Sequence, residues 1–266
     1  MSHRPVISVL MPTYNTPAAW LREAIESVRG QLYENRELCI ADDASTDPAT
    51  RAVLVTAAAE DDRFRVIFRK ENGHISAASN SALALCRGEW VALMDHDDLL
   101  AEHALYCVAD VIAQHPEARL IYSDEDKISE HGHRFDPYFK CDFNRELFYS
   151  QNMISHLGVY HRQIIEDTGG FREKFEGSQD YDLALRFCER IEPERIIHIP
   201  RVLYHWRRHG LSTASGVASK PYTQRAAKQA IEEHLARLET PAEITHEVHG
   251  YRVKYAPPVP LPLVSV

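Results

Sequence analysis

The chain has 266 residues, 44% hydrophobic and 26% charged, with a formal net charge of −9. That is ordinary for a globular chain long enough for one large α/β domain, and the negative balance argues against nucleic acid or an anionic membrane as the main partner. No apolar run approaches the roughly 20 residues of a membrane helix, the N-terminus lacks a signal peptide's apolar core and cleavage site, and the five cysteines are scattered without a CxxC pair, which reads as reduced core thiols in a cytoplasmic protein.

Val6 to Leu10 reads as a short strand. Thr16 and Pro17 follow as helix N-cap and first turn, and Trp20, Leu21, Ala24, Ile25 and Val28 recur at helical spacing. Glu37 to Ala41 is a second strand, followed by the turn DDASTDP and a helix from about Asp47 to Glu60. Phe64 to Phe68 is a third strand and Ile75 to Cys86 a third helix. Trp90 to Met94 is a fourth strand, a helix from about Ala101 to Gln114 follows, and Leu120 to Ser123 is a fifth strand. This alternation predicts an α/β fold with a mostly parallel sheet and helices on both faces. Ligands of such sheets bind beyond the carboxyl ends of the strands. The polar clusters PTYN, DDAST, ENGH and DHDD each follow a strand and should line one crevice.

Beyond residue 124 the regularity breaks. His131 to Asn144 reads as loop, His156 to Tyr160 as a strand, and Asp180 to Arg190 as a helix. Val202 to Trp206 reads as a strand and Tyr222 to Leu238 as a helix. Residues 1–254 are expected to form one domain, with a donor half over 1–124 and an acceptor half over 125–254. Residues 255–266 are proline-rich, a linker or the start of a further domain, since Pro262 to Val266 (PLVSV) echoes Pro5 to Val9 (PVISV).

The stretch Asp95-His96-Asp97-Asp98 sets three carboxylates within four positions. One could cap the following helix, a role suited to Asp98, but capping needs only one. Carboxylate oxygens suit Mg²⁺ or Mn²⁺, ions that keep waters and take further ligands from substrate phosphates. A cation would also let an acidic protein hold an anionic ligand. No glycine follows the first strand, so neither the dinucleotide fingerprint nor the P-loop is present. Asp42 and Asp43 end the second strand, where they either make an Asx turn with Ser45 and Thr46 or accept hydrogen bonds from a base or ribose.

The ordered set PTYN, ADDASTD, NGHISAASN and MDHDD resembles the family 2 inverting glycosyltransferases of the GT-A fold. GGFREKFEGSQDYDLALR and YHWRRHGLSTAS resemble the family's later segments, so the likeness covers about residues 5 to 215. The resemblance implies that Asp42 or Asp43 reads the nucleobase, with Pro12, Tyr14 and Asn72 near it. Asp95 and Asp97 fall on the DxD motif for ribose, diphosphate and metal, His209 on the histidine that completes the metal shell, and Asp180 on the general base. Asp182, two positions on, points elsewhere on the same helix and is read as capping or structural.

Three departures stand out. Gln179 replaces the acid that often precedes the base, and Ser79 replaces an arginine before Asn80, a contact that Lys70 or Arg207 could replace. The Gln-x-x-Arg-Trp motif of processive relatives is missing. The resemblance implies metal-dependent, inverting transfer of a sugar from a nucleotide-diphosphate donor, most often a UDP-sugar, to a glycan or lipid-linked oligosaccharide, as in bacterial O-antigen or capsule assembly. Peripheral membrane association would suit such an acceptor. Two alternatives share some of these features. A sugar nucleotidyltransferase needs a basic, glycine-rich loop where this chain has PTYN. A non-catalytic glycan-binding or scaffolding domain would show no metal-dependent nucleotide affinity.

Among smaller features, Trp206 reads either as core or as a surface on which a sugar stacks. Asp124, Glu125 and Asp126 read as a solvated turn or as contacts to acceptor hydroxyls. His131 and His133 read as exposed.

Overall fold

In the computed structural model, residues 4–208, 221–248, 250–257 and 260–261 are described here. The chain runs β1 (Ile7–Thr13), α1 (Ala18–Arg29), β2 (Arg36–Asp42), α2 (Pro48–Glu60), β3 (Phe64–Phe68), α3 (His74–Leu83) and β4 (Trp90–Leu93). It continues through β5 (Leu99–Leu100), α4 (Ala104–Gln114), β6 (Leu120–Ser129), β7 (Arg134–Tyr138), α5 (Arg145–Ser150), β8 (Gly158–His161) and α6 (Arg162–Asp167). The last elements are α7 (Gln179–Cys188), β9 (Ile196–Arg208), α8 (Pro221–Arg237), β10 (Ala242–Glu247) and β11 (Gly250–Tyr255).

One large sheet has the order β3-β2-β1-β4-β8-β6-β9-β5, with β7 added to β6; β10 and β11 form a separate hairpin. The first four strands are mutually parallel. β8 then runs antiparallel to both β4 and β6, while β6 and β9 are parallel. The period of two along each strand divides the core into two layers. Ile7, Val9 and Met11 of β1, Leu38 and Ile40 of β2, and Trp90 and Ala92 of β4 face the layer filled by α1, α2 and α4. Leu10, Cys39, Ala41, Val91 and Leu93 face the opposite layer, filled by α3, α5, α7 and α8. Helices therefore cover both faces, as the alternation in sequence implies.

Several local expectations need correction. The residue before α1 is Pro17, which makes no side-chain cap, and the Thr16 hydroxyl is buried without a hydrogen-bond partner. Asp47 does cap α2, accepting from Ala49 N at 2.9 Å with Pro48 in the first turn. Leu99 and Leu100 do not start a helix. They pair antiparallel with His205 and Tyr204 of β9, so Asp98 caps nothing. The supposed loop at 131–144 contains β7, and Asp124 to Asp126 lie inside β6 rather than in a solvated turn. All five cysteines are free, but Cys141 is exposed and only Cys39 and Cys86 are buried. Among the described residues no helix is long and apolar enough to cross a membrane.

Candidate active site

β1 lies between β2 and β4, so the chain leaves its carboxyl end toward one side and β4 joins from the other. This is the switch point at which open α/β sheets bind ligands. The Leu10 carbonyl accepts from Met94 N of the β4 side at 3.0 Å, and the Thr13 carbonyl accepts from Asp43 N of the β2 side at 2.8 Å. Alternate residues of β1 thus face opposite neighbours, and Pro12 faces β4 just past the last register pair, Leu10 with Leu93. Its missing N–H removes no ladder bond, and the two strands part there.

Asn15 turns the chain away from β1 in a left-handed conformation, φ 47°, which asparagine tolerates. Its backbone N donates to Ser45 Oγ at 2.8 Å, and its side-chain oxygen accepts from Thr46 N at 2.8 Å and Asp47 N at 3.1 Å. The loops after β1 and β2 are thereby joined. Asp42 accepts from Ser45 N at 3.3 Å, the Asx turn, and from Arg51 Nη1 at 3.0 Å. Its other oxygen is buried without a partner. Asp43 accepts from Gly73 N at 3.0 Å and from Arg69, and Asn72 donates to the Asp43 carbonyl at 3.1 Å. Asp42, Asp43 and Asn72 therefore meet at one edge of the crevice. Tyr14 is 46% exposed beside it.

At the end of β4, residues 95–98 fold into a tight turn held by β9. The Tyr204 hydroxyl accepts from Asp95 N at 3.0 Å and donates to Asp98 Oδ2 at 2.7 Å, tying both ends of the turn together. Arg207 N donates to Asp98 Oδ1 at 2.7 Å, and Arg207 Nε to the Asp97 carbonyl at 2.7 Å. The positive partner that the carboxylates require is His156. Its Nε2 lies 3.6 Å from Asp95 Oδ2, and its ring stacks on Tyr204 at 4.4 Å. Burial alone would push the His156 imidazole down, but the hydrogen bond and charge of Asp95, with Asp98 and Asp180 behind it, raise it to about 9. Burial raises the Asp95 carboxyl and His156 pulls it back below the ordinary value. Asp98, buried and beside Asp97 and Asp95, is raised well above the carboxylate range.

Asp180 stands in the first turn of α7, where the helix dipole favours a carboxylate. Asn152 Nδ2 donates to its Oδ2 at 2.8 Å. Burial raises its affinity for a proton, against the opposing pull of the His156 charge. Asp182, 1% exposed, turns the other way and is bound by Arg172 and by Arg186 Nη2 at 2.7 Å. His156, a residue from another part of the chain that no local motif marks, thus contacts Asp95 and feels the charges of Asp98 and Asp180.

Other sequence assignments fare differently. Arg207 offers no spare charge to a phosphate: it is 1% exposed and also grips Glu23 at 2.6 Å. Ser79 is buried, Lys70 is exposed, and Gln179 turns back to accept from Gly177 N at 2.8 Å. His131 and His133 are exposed. His209, assigned to the metal shell, lies outside the described residues. Among the described residues no three His, Cys, Asp or Glu side chains form a metal cage. The turn offers Asp97 with Asp95 two residues before it. That set fits an ion of the Mg²⁺ type, which takes one or two carboxylates and completes its shell with phosphate oxygens and water.

The family model described as "Glycosyl transferase family 2" matches residues 8–169, a span that includes the ends of β1, β2 and β4. The chain belongs to glycosyl transferase family 2. Among curated relatives of this family 2 chain is the protein y4gI of Sinorhizobium fredii. It is 53% identical over 237 residues, covering 89% of this chain and 26% of that protein. The O-antigen biosynthesis protein RfbC of Myxococcus xanthus is 38% identical over 256 residues, covering 96% of this chain and 20% of that protein. The chain therefore spans about a quarter or less of these relatives' lengths. Among solved structures, Staphylococcus aureus TarS 1–349 in complex with UDP-GlcNAc superposes with a TM-score of 0.68 at 19% identity, covering 86% of this chain and 66% of that one. The mannosyltransferase PcManGT from Pyrobaculum calidifontis, in complex with GDP-Man and Mn²⁺, gives 0.59 at 20% identity, covering 90% and 65%. At such identities these likenesses establish the GT-A fold.

Proposed function

We propose that this domain transfers a sugar, with inversion, from a nucleotide-diphosphate donor to a hydroxyl of a glycan or lipid-linked oligosaccharide. UDP-sugars are the first donors to test, and the setting is assembly of a bacterial surface polysaccharide on the cytoplasmic side of the membrane, with peripheral association. Residues 1–124 act as donor half and 125–254 as acceptor half of one domain. Family membership supports the reaction type, similarity to the O-antigen biosynthesis protein RfbC supports the setting, and the UDP-GlcNAc complex of TarS supports the donor. One observation carries the reading: buried His156 contacts Asp95 in a turn of crowded carboxylates and feels the charge of Asp180.

In this reading the nucleoside sits over Pro12 and Tyr14, with Asn72 and the buried pair Asp42 and Asp43, 0% and 2% exposed, on the base side and Asp95 on the ribose side. Asp97 and His209 would hold a Mn²⁺ or Mg²⁺ ion, whose chemistry there is Lewis-acid stabilisation of the leaving diphosphate. Asp180 takes the proton of the acceptor hydroxyl as its oxygen bonds to the anomeric carbon and the bond to phosphate breaks. A single displacement from the opposite face inverts the configuration. Asn152 fixes one oxygen of the base, and burial keeps that base more proton-seeking than an exposed aspartate.

The test is a panel of sugar nucleotides assayed for divalent-ion-dependent hydrolysis and transfer. At least one donor should turn over, and Asp180→Asn should bind it while reacting at least ~100-fold slower, the usual scale of base catalysis. Unchanged rate in that variant removes Asp180 from the mechanism.

A further inference from the structure

Between β6, β7 and β9 lies a cleft of about 360 Å³, near the lower end of the roughly 300–1,000 Å³ of small-molecule sites. Glu125, Asp126, Lys127, Asp136, Tyr138 and Trp206 line it. Two aromatic side chains in one small cleft edged by charged groups suit a ring with an apolar face and a hydroxylated edge. The Trp206 indole N–H has no acceptor among the described residues, so no structural hydrogen bond fixes the ring.

The cleft is wired to the candidate active site from both sides. Trp206 packs edge-on against His156 at 5.4 Å, and His156 meets Asp95. The Tyr138 hydroxyl accepts from Gln151 Nε2 at 2.8 Å, and the next residue, Asn152, donates to Asp180. Glu125 accepts from Lys140 Nζ at 2.8 Å, and the same ammonium donates to the Ile154 and His156 carbonyls at 2.8 and 2.7 Å. The segment 151–156 thus connects residues of the cleft lining to the base.

The charge of the lining constrains its occupant. Three carboxylates face one ammonium, Lys127, which is itself paired with Asp136. Lys140 is wholly buried behind Glu125 and cannot reach a ligand. Arg134 at the rim is bound to Asp126 at 2.7 Å, which also holds His205 at 2.6 Å. A carboxylate brought into this cleft would find no uncommitted cation among these residues and would meet like charge. A neutral sugar would find carboxylate oxygens for its hydroxyls and an aromatic face.

We infer that this cleft is the acceptor-sugar subsite and that it selects a neutral sugar over a uronic acid. The inference rests on the transferase reading for the word acceptor. Saturation-transfer NMR on the full chain tests it without donor. The probes are methyl β-glucoside, methyl β-galactoside and methyl α-mannoside against methyl β-glucuronoside and methyl β-galacturonoside. At least one neutral glycoside should saturate more than the uronosides by about fivefold, the ratio that ~1 kcal/mol produces. Tyr138→Ala should remove that signal. Asp136→Asn, at an exposed position, should narrow the gap between neutral and acidic probes. Equal or stronger signals from the uronosides, no signal from any glycoside, or an unchanged signal in Tyr138→Ala overturns the inference. A parallel titration with UDP and Mn²⁺ separates the two claims. Nucleotide binding without any glycoside signal sinks only the subsite, whereas a glycoside signal without nucleotide binding sinks the transferase reading.

Discussion

Two knots of three acidic residues, Asp95/Asp97/Asp98 and Asp124/Glu125/Asp126, are treated by the fold in opposite ways. The second lies within β6, and each carboxylate has its own partner from another part of the fold. Asp124 meets His198 at 2.8 Å, Glu125 meets Lys140 at 2.8 Å, and Asp126 meets Arg134 at 2.7 Å. The first lies in a turn where His156 reaches Asp95, His96 Nδ1 stands 3.7 Å from Asp97 Oδ1, and Arg207 supplies hydrogen bonds to Asp97 O and Asp98 from its guanidinium and backbone. Carboxylates matched by partners of the fold are held in place without a ligand. Charges crowded with less compensation than they need are kept at a cost in stability, which makes sense where a ligand completes the balance.

The sharpest way to break this contrast is substitution in the turn. Asp97→Ala should abolish transfer while leaving the melting temperature unchanged or raised, because it removes one member of a like-charged group. Loss of folding in this variant would show that the turn is structural after all. Asp180→Asn should follow, with the ~100-fold loss in turnover set out above and donor affinity kept. The matched pairs should behave the other way. Asp182→Ala strips buried Arg186 of its carboxylate, so chemical denaturation should report a loss of about 3–5 kcal/mol, the range for breaking a buried pair. Its folded fraction should still turn over.

Acidity sharpens the comparison further. Burial lifts the Asp180 carboxyl above the ordinary aspartate value, and a base works only when deprotonated. The acid limb of kcat/KM should therefore fall at a higher pH than an exposed aspartate would give, and the limb should vanish in Asp180→Asn. The smallest effect concerns His156. In the fold it keeps its proton to about pH 9, whereas an unfolded histidine loses it near ~6.5. Its contribution to stability is thus complete below the unfolded value and lost as pH rises through about 9. Without nucleotide, wild type should lose stability over that window relative to His156→Gln, as read by thermal melting.

Much of the parallel half was legible in sequence because its strands are buried on both faces and its helices carry apolar residues at regular spacing. Phe64 to Phe68 was read with its observed bounds, and the clusters at Asp42 and Asp95 do end strands. The second half of the chain hid its structure for physical reasons. β7 is largely exposed and shows no alternation of apolar and polar residues. β5 has only two residues and exists because β9 pairs with it. DED reads as a turn until one knows that His198, Lys140 and Arg134 wait across the fold. His156, Tyr204, Asn152 and Lys140 were missed for the same reason. Each is a lone residue whose partners are distant in sequence, as with Tyr204 and Asp98, 106 positions apart. The one available signal was the demand for a positive charge near DHDD, which sequence alone assigned to a metal and the fold meets in part with His156.

The most direct test of the central claim is calorimetry of UDP with and without Mn²⁺, on wild type and on Asp97→Ala. The account predicts that nucleotide affinity depends on the ion in wild type and that this dependence disappears in the variant. Equal affinity in the presence of a chelator, or ion-dependent binding that survives the loss of Asp97, would contradict it.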